Sequence, residues 1–431
     1  FASGALQAAC AVISYFCGRD AALCLRPVKC AHAIGRVLNL CGGNAIGQVL
    51  KALRKHGLLP LRYNSPVLPI LIKTLGYVMG DGSLYFVHRV GKGVTSFFGK
   101  PEDLEEIRRD LSPWWIVSRI YTRTRSHQIE TDYHLVRFEA TASACVARSS
   151  SLAILLALLG CPVGNKSIQD YEVPNWLNRA TLWQKRLFLA SYFGAELQTP
   201  RAYAERNRNF PCPLLTVQKV NRYARSGRRF LEQVAAMAQE FGVQTLGIEE
   251  REESVQRKYG VSSRLRLLFS SKPENLTALY GRIGFEYNRA RRAEAAVVAV
   301  YQALKESSWR SRRFLTSEIV RLRKASGIGA KRIIRELETI GVGSEGKVNL
   351  RFIERTIYGR EERKVRVPET FPSYEELKSR VTKGLEGSGL IWDEIAVIRP
   401  YEGKVDWVYD ITVNHSDHNF VANGFVVHNC G

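Results

Sequence analysis

Two carboxylates stand out because each closes a helix-like run of matching composition. Thr74-Leu-Gly-Tyr-Val-Met-Gly-Asp-Gly82 carries Asp81 next to its end, and Leu189-Ala-Ser-Tyr-Phe-Gly-Ala-Glu-Leu197 carries Glu196, 115 positions later (196 minus 81). In each run small residues fall four apart, Gly76 and Gly80 in the first, Ser191 and Ala195 in the second. That spacing lets two helix backbones approach closely along one seam. If the helices pack side by side, both acids converge at one end. Two convergent carboxylates holding a hard cation such as Mg2+ suit phosphodiester chemistry, because the metal activates water and neutralises charge on the leaving oxygen. For either run alone, a helical hairpin with solvated terminal acids is the simpler reading.

A second chemistry is written in the tail, which ends His428-Asn429-Cys430-Gly431. An asparagine side-chain amide can attack its own backbone carbonyl, form a succinimide and break the chain, if neighbours polarise that carbonyl. His428 sits beside Asn429 for that purpose, and the Cys430 thiol could accept in a transesterification. Zinc binding by His415, His418 and His428 is the weaker alternative, since nothing nearby completes four ligands.

The elements that must position these groups form a repeat. From about Pro66 to Gly164 the chain reads helix-strand-strand-helix-strand-strand-helix, and about Leu182 to Arg292 repeats the order. Ser307 to Gly359 reads as helix, glycine turn, helix, either a DNA-contacting motif or a hairpin burying its leucines. A similar pattern, AIGRVLNLCGGNAIGQVLKALRKHG, lies near the start, while residues 1–29 match nothing interpretable. A β-rich tail follows from about Leu390. The expected boundaries are 1–60, a helix-turn-helix-like N-terminal region; 61–305, the paired repeats; 306–365, a helical module; and 366–431, the tail.

Composition agrees with a polyphosphate partner. Lysine and arginine number 63 against 41 acids, a formal charge of +22 spread along the chain. The longest apolar stretch, around Leu152 to Leu159, is far below the roughly 20 residues that cross a bilayer. Nine cysteines without zinc-knuckle spacing point to reduced thiols and a cytoplasmic setting. The first residue, Phe1, reads as the start of a fragment or excised piece.

Taken together, the two acidic runs resemble the LAGLIDADG homing endonucleases of the monomeric, intein-borne class, over roughly Pro66 to Arg292. The resemblance implies an α+β pseudo-dimer of two αββαββα repeats whose sheets lie in the major groove of a long asymmetric site on double-stranded DNA. It implies Asp81 and Glu196 as metal-binding catalytic acids. A basic residue near the metals is a further family element; GCPVGNKSIQDYEVPNWL nominates Lys166, with Arg291 and Lys219 as less certain candidates in the second repeat. The tail resembles intein C-terminal splicing motifs and implies cleavage at Asn429-Cys430 assisted by His428, His418 and Asp410, within a partial β-rich Hint domain. Cys430-Gly431 resembles the insertion point of inteins in RNA-splicing ligases.

The expectation is therefore a Mg2+-dependent DNA endonuclease, monomeric, embedded in an intein with host exteins in the precursor. Phe1 cannot form a thioester, and the Thr-x-x-His matches at Thr124 and Thr131 lie inside the first repeat. The N-terminal splicing half is expected to be missing and full splicing to fail. A decayed endonuclease, or a DNA-binding protein retaining only C-terminal cleavage, is the alternative.

Overall fold

The computed structural model describes residues 45–58, 61–87, 92–130, 135–205, 207–253, 259–339, 349–359, 366–386, 388, 390–393, 395, 397–400, 402, 403, 407, 411–413, 418–422 and 425–428. The chain divides into two compact units, Phe1–Trp392 and Asp393–Gly431.

In the first unit, α1 (Ala45–Lys55) precedes α2 (Leu68–Met79), β1 (Gly82–Val87), β2 (Lys92–Gly99), α3 (Pro101–Leu111), β3 (Tyr121–Glu130), β4 (Leu135–Ala147) and α4 (Ser150–Leu158). The strands form one antiparallel sheet in the order β1-β2-β4-β3. The order repeats as α5 (Leu182–Glu196), β5 (Leu214–Val220), α6 (Ala224–Gln239), β6 (Thr245–Glu252), β7 (Ser262–Phe269) and α7 (Pro273–Ala278), with a sheet ordered β5-β7-β6. The strand expected directly after α5 reduces to a single bridge, Leu197 to Leu215.

Helices α2 and α5 are apolar on nearly every side because they pack against each other and against the sheets: Leu71, Ile72, Leu75 and Val78 of α2 and Phe188, Leu189, Ala190 and Phe193 of α5 are buried. A proline in its first turn starts α2. A capping box starts α5, in which Thr181 Oγ1 accepts from the Gln184 amide and Gln184 Oε1 accepts from the Thr181 amide. Between the helices only hydrogen fits at two positions. A Cβ on Gly76 would lie 2.6 Å from the Phe188 carbonyl oxygen, and one on Gly80 would lie 2.5 Å from Ala195 Cβ.

Helix α8 (Arg289–Ser326) runs for 38 residues. Asp103 Oδ1 accepts from the Arg289 amide and Asn288 Oδ1 from the Arg291 amide, which caps its exposed N–H groups. Its first half buries Ala295, Val297, Val298 and Tyr301 in the main core. Its second half supplies Leu315 and Ile319 to a separate small core with α9 (Ala330–Thr339) and α10 (Leu350–Tyr358). Gly327, at φ 65°, ends the long helix in the left-handed region. Helix α11 (Tyr374–Val381) returns to the main core through Tyr374, Leu377 and Val381, and Tyr374 donates to Glu294 Oε1 at 2.8 Å. Helix α11 thus lies in the first unit, and the break between the units falls at 392/393.

The second unit contains the hairpin of β8 (Asn419–Ala422) and β9 (Phe425–His428), with Asn419 opposite His428. The architecture is mixed α and β. No helix among the described residues is long and apolar enough to cross a membrane.

Candidate functional site

Asp81 and Glu196 end at the same seam. Asp81 follows Gly80 at the C-terminus of α2, and the site of a Cβ on Gly80 lies 3.1 Å from Glu196 Cγ. The charges interact unequally. Burial raises the Glu196 carboxyl first, the Asp81 charge raises it further, and Lys166 and Arg291 pull it down, leaving it at about 7. Asp81, more exposed, is raised by burial and lowered by the same two cations. Asp81 therefore ionises first and Glu196 later, near neutral pH.

Each acid-bearing helix ends against one cation. Lys166 lies in a tight turn opened by Asn165, whose Oδ1 accepts from the Ser167 amide. Its Nζ donates to the carbonyl oxygens of Val78 (3.2 Å), Met79 (3.1 Å) and Gly80. Arg291 Nη1 donates to those of Phe193 (3.3 Å), Gly194 (2.8 Å) and Ala195 (3.1 Å). Both cations thus satisfy the bare carbonyls of a helix C-terminus, where positive charge is favoured. Burial lowers the pKa of each, opposed by Glu196 and Asp81.

Lys219, fully buried on β5, stands behind this layer. Its Nζ donates to the carbonyl oxygens of Lys166 (2.7 Å) and Gln169 (2.6 Å) and lies 3.8 Å from the centre of the Tyr171 ring. Burial pulls the Lys219 amine down to about 7, with Asp170 opposing and Lys166 adding to the fall. Sequence reasoning offered Lys219 beside Arg291 as the basic residue of the second repeat; in the structure its hydrogen bonds support the Lys166 turn. A lysine inside a strand of apolar neighbours was the available signal.

Among the described residues no group of three or more His, Cys, Asp or Glu side chains converges to hold a metal. The donor set at the seam is two carboxylates. That set fits Mg2+, which binds through one or two carboxylates while keeping several waters for substrate phosphates to replace. It fits zinc less well, since zinc sites take three or four protein ligands that usually include His or Cys, and the described residues bring no such group together.

Asp410, Asn429 and Cys430 lie outside the described residues. His418, at φ 49°, and His428 are exposed on the hairpin with ring centroids 6.5 Å apart.

Comparison with known proteins gives the following. No family model matches the chain. It is 34% identical over 389 residues to a tRNA-splicing ligase RtcB of Methanopyrus kandleri, covering 89% of this chain and 36% of that protein. It is 34% identical over 388 residues to a tRNA-splicing ligase RtcB of Pyrococcus furiosus, covering 89% and 37%. It is 29% identical over 399 residues to DNA-directed RNA polymerase subunit Rpo1N of Methanocaldococcus jannaschii, covering 92% and 25%. The chain spans about a third of the length of the two ligases it matches. The matched stretch recurs in proteins of two different names, so neither whole-protein activity belongs to it on that ground alone. A solved structure, the homing endonuclease I-WcaI bound to its DNA recognition sequence, is similar at a TM-score of 0.30 and 11% identity over 57% of this chain and 92% of that one. At that distance it carries no argument.

These relatives correct the sequence reading. The expected intein-borne LAGLIDADG homing endonuclease, a hydrolase cutting long double-stranded DNA sites and flanked by host exteins, gives way to relatives named for splicing tRNA and for ligation. The alternative of a decayed endonuclease or DNA-binding protein fits no better. The physical reason is that two carboxylates with a metal stabilise the same phosphorus-centred transition state whether the acceptor is water or a sugar hydroxyl, on DNA or on RNA. An acid pair of this kind suits phosphoryl transfer in general and leaves acceptor and substrate open. RNA-splicing ligases entered the sequence reading only as an insertion point resembling Cys430-Gly431; they are what two of the relatives are named.

Proposed function

We propose that this chain carries a divalent-metal-assisted phosphoryl-transfer centre acting on RNA, as a part of a longer chain related to the tRNA-splicing ligases. The observation that carries the reading is the convergence of Asp81 and Glu196 at the closed seam of α2 and α5, each backed by one cation. The relatives' printed name supports RNA as the substrate class. The matching order of elements in the two halves supports their being αββαββα repeats related by a pseudo-twofold axis, with the acids beside that axis.

Mg2+ is the cofactor this donor set favours; when bound it would neutralise phosphate charge and lower the pKa of the attacking hydroxyl. The chain's own groups prepare for it. Asp81 supplies the second carboxylate, which burial raises and Lys166 and Arg291 pull back towards the ionised form. Glu196, titrating near 7, accepts a proton once its neighbourhood becomes less positive. Lys166 and Arg291 fix the ends of both helices and offset the paired negative charge.

The test is incubation of end-labelled RNA fragments bearing 2′,3′-cyclic phosphate and 5′-hydroxyl ends, in which the ring P–O bond breaks as the new one forms, with the protein and Mg2+, comparing the parent with Asp81→Asn and Glu196→Gln. Joined or re-cut RNA that both variants lose supports the reading. Turnover of duplex DNA in preference to RNA, or RNA turnover indifferent to both substitutions, overturns it.

A further inference from the structure

The register of the four-stranded sheet gathers aromatic rings on one face. Tyr85 of β1 pairs with Val94 of β2; Phe98, four residues on, shares that face and pairs with Ala144 of β4. Tyr121 of β3 pairs with the same Ala144, and Arg123, two residues on, stays on the same side. Tyr85 and Phe98 are 41% and 43% exposed. The Arg123 guanidinium lies 4.9 Å from the Tyr121 ring centre. The floor between the rings is made of Ser83 opposite Ser96, Ala142 opposite Arg123, and the buried Val94 and Val146. Asp81 immediately precedes β1, so the face begins at the catalytic seam.

Exposed rings on a sheet face with an interleaved cation have little use for a duplex, whose base faces are already stacked on one another. They suit unpaired bases, each of which offers a flat π-face, while Arg123 and the basic surround attract the backbone. A protein partner is less well matched, because Val94, Ser96, Ala144 and Val146 of the floor are already buried, leaving little apolar surface besides the rings for an anchor to meet.

We infer that this face is a stacking platform for a single-stranded stretch of RNA, with Tyr85, Phe98 and Tyr121 each holding one base along the strand and Arg123 the backbone, leading the strand to Asp81. The inference rests on the RNA substrate proposed above.

Binding is measured by fluorescence anisotropy with a labelled 12-nucleotide oligouridylate and a 12-base-pair RNA duplex, in EDTA, so that no turnover is needed. The parent is expected to prefer the single strand. Tyr85→Leu and Phe98→Leu, which keep apolar bulk but lose the ring, each weaken oligouridylate binding about five- to hundredfold, as loss of one stacked base would. Phe98→Trp holds or tightens it. Leucine variants that stay folded by circular dichroism and bind like the parent overturn the platform, as does preference for the duplex. A parent that binds oligouridylate as described but transfers no phosphoryl group with Mg2+ sinks the proposed reaction and leaves the platform standing.

Discussion

Lys166 and Arg291 perform the same task on two different helices: each donates to three consecutive carbonyl oxygens at the C-terminus of the helix that carries an acid. Their separation in sequence, 125 positions (291 minus 166), hides a local symmetry about the seam. Each cation serves the helix C-terminus and the carboxylate next to it. Removing either should therefore act on the acids more than on the fold.

Lys166→Met is expected to reduce phosphoryl transfer by about a hundredfold or more, the scale on which a preorganised cation at such a site acts. Lys166→Arg should recover part of it, since a guanidinium reaches the same carbonyls at Arg291. Equal turnover by the parent and Lys166→Met would remove Lys166 from the machinery.

The Glu196 titration fixes a pH window. Its carboxyl is raised from 4.5 to about 7 in the folded chain. The sign follows from linkage: a raised folded pKa gives stability that is full below the unfolded value and lost as pH climbs through the folded one. Without metal, stability from this group falls between about pH 4.5 and 7. Glu196→Gln, permanently neutral, should melt higher than the parent at pH 8 and no higher at pH 4. Mg2+ needs the ionised form, so its affinity should climb up to about tenfold per pH unit below 7 and level off above. Calorimetric titration at pH 5.5, 6.5 and 8 reads this directly; affinity independent of pH would place the metal elsewhere.

Much of the seam was legible because its cause is local. Gly76, Gly80, Ser191 and Ala195 sit at helical spacing, and the structure uses that spacing for close approach, with Ser191 buried at the contact. Lys166 and Arg291 were legible as candidates, not as a matched pair, since the match depends on where two distant turns fold back. The docking of α11 onto the main core was hidden because Tyr374 meets Phe210 and Tyr301, which lie 164 (374 minus 210) and 73 (374 minus 301) positions away. The proposed chemistry draws on the sequence only as far as the acids: paired carboxylates suit phosphoryl transfer, and nothing in their spacing says which hydroxyl accepts.

Backbone approach predicts a sharp penalty at Gly194. A Cβ there would lie 2.0 Å from the Glu286 carbonyl oxygen, and Glu286 is fixed because its amide donates to the Ala190 carbonyl. Gly194→Ala should destabilise the chain by about 1–3 kcal/mol or more, the usual cost of overpacking a rigid core. Gly327→Ala, with open space around its Cβ but a left-handed φ, should cost only about 1 kcal/mol. Chemical denaturation separates the two; a Gly194→Ala protein as stable as the parent would mean that the α5 contact yields easily.

Lys219 gives the last test, because its two hydrogen bonds go to carbonyls that lose their buried donor if it is truncated. Lys219→Met keeps the bulk and the contact with Tyr171 but leaves the Lys166 and Gln169 carbonyls without this donor, at a cost of about 1–3 kcal/mol each. The ionisation works the other way. An amine lowered to about 7 from 10.5 favours the unfolded chain while charged, so Lys219 makes the parent gain stability as pH rises from 7 to 10.5. Methionine abolishes that gain. The difference in stability between parent and Lys219→Met should therefore widen from pH 7 to pH 10, and turnover should fall with it, because the turn bearing Lys166 loses its anchor. A stability difference that stays flat across that range would show that Lys219 keeps an ordinary amine pKa, exposed to water in solution.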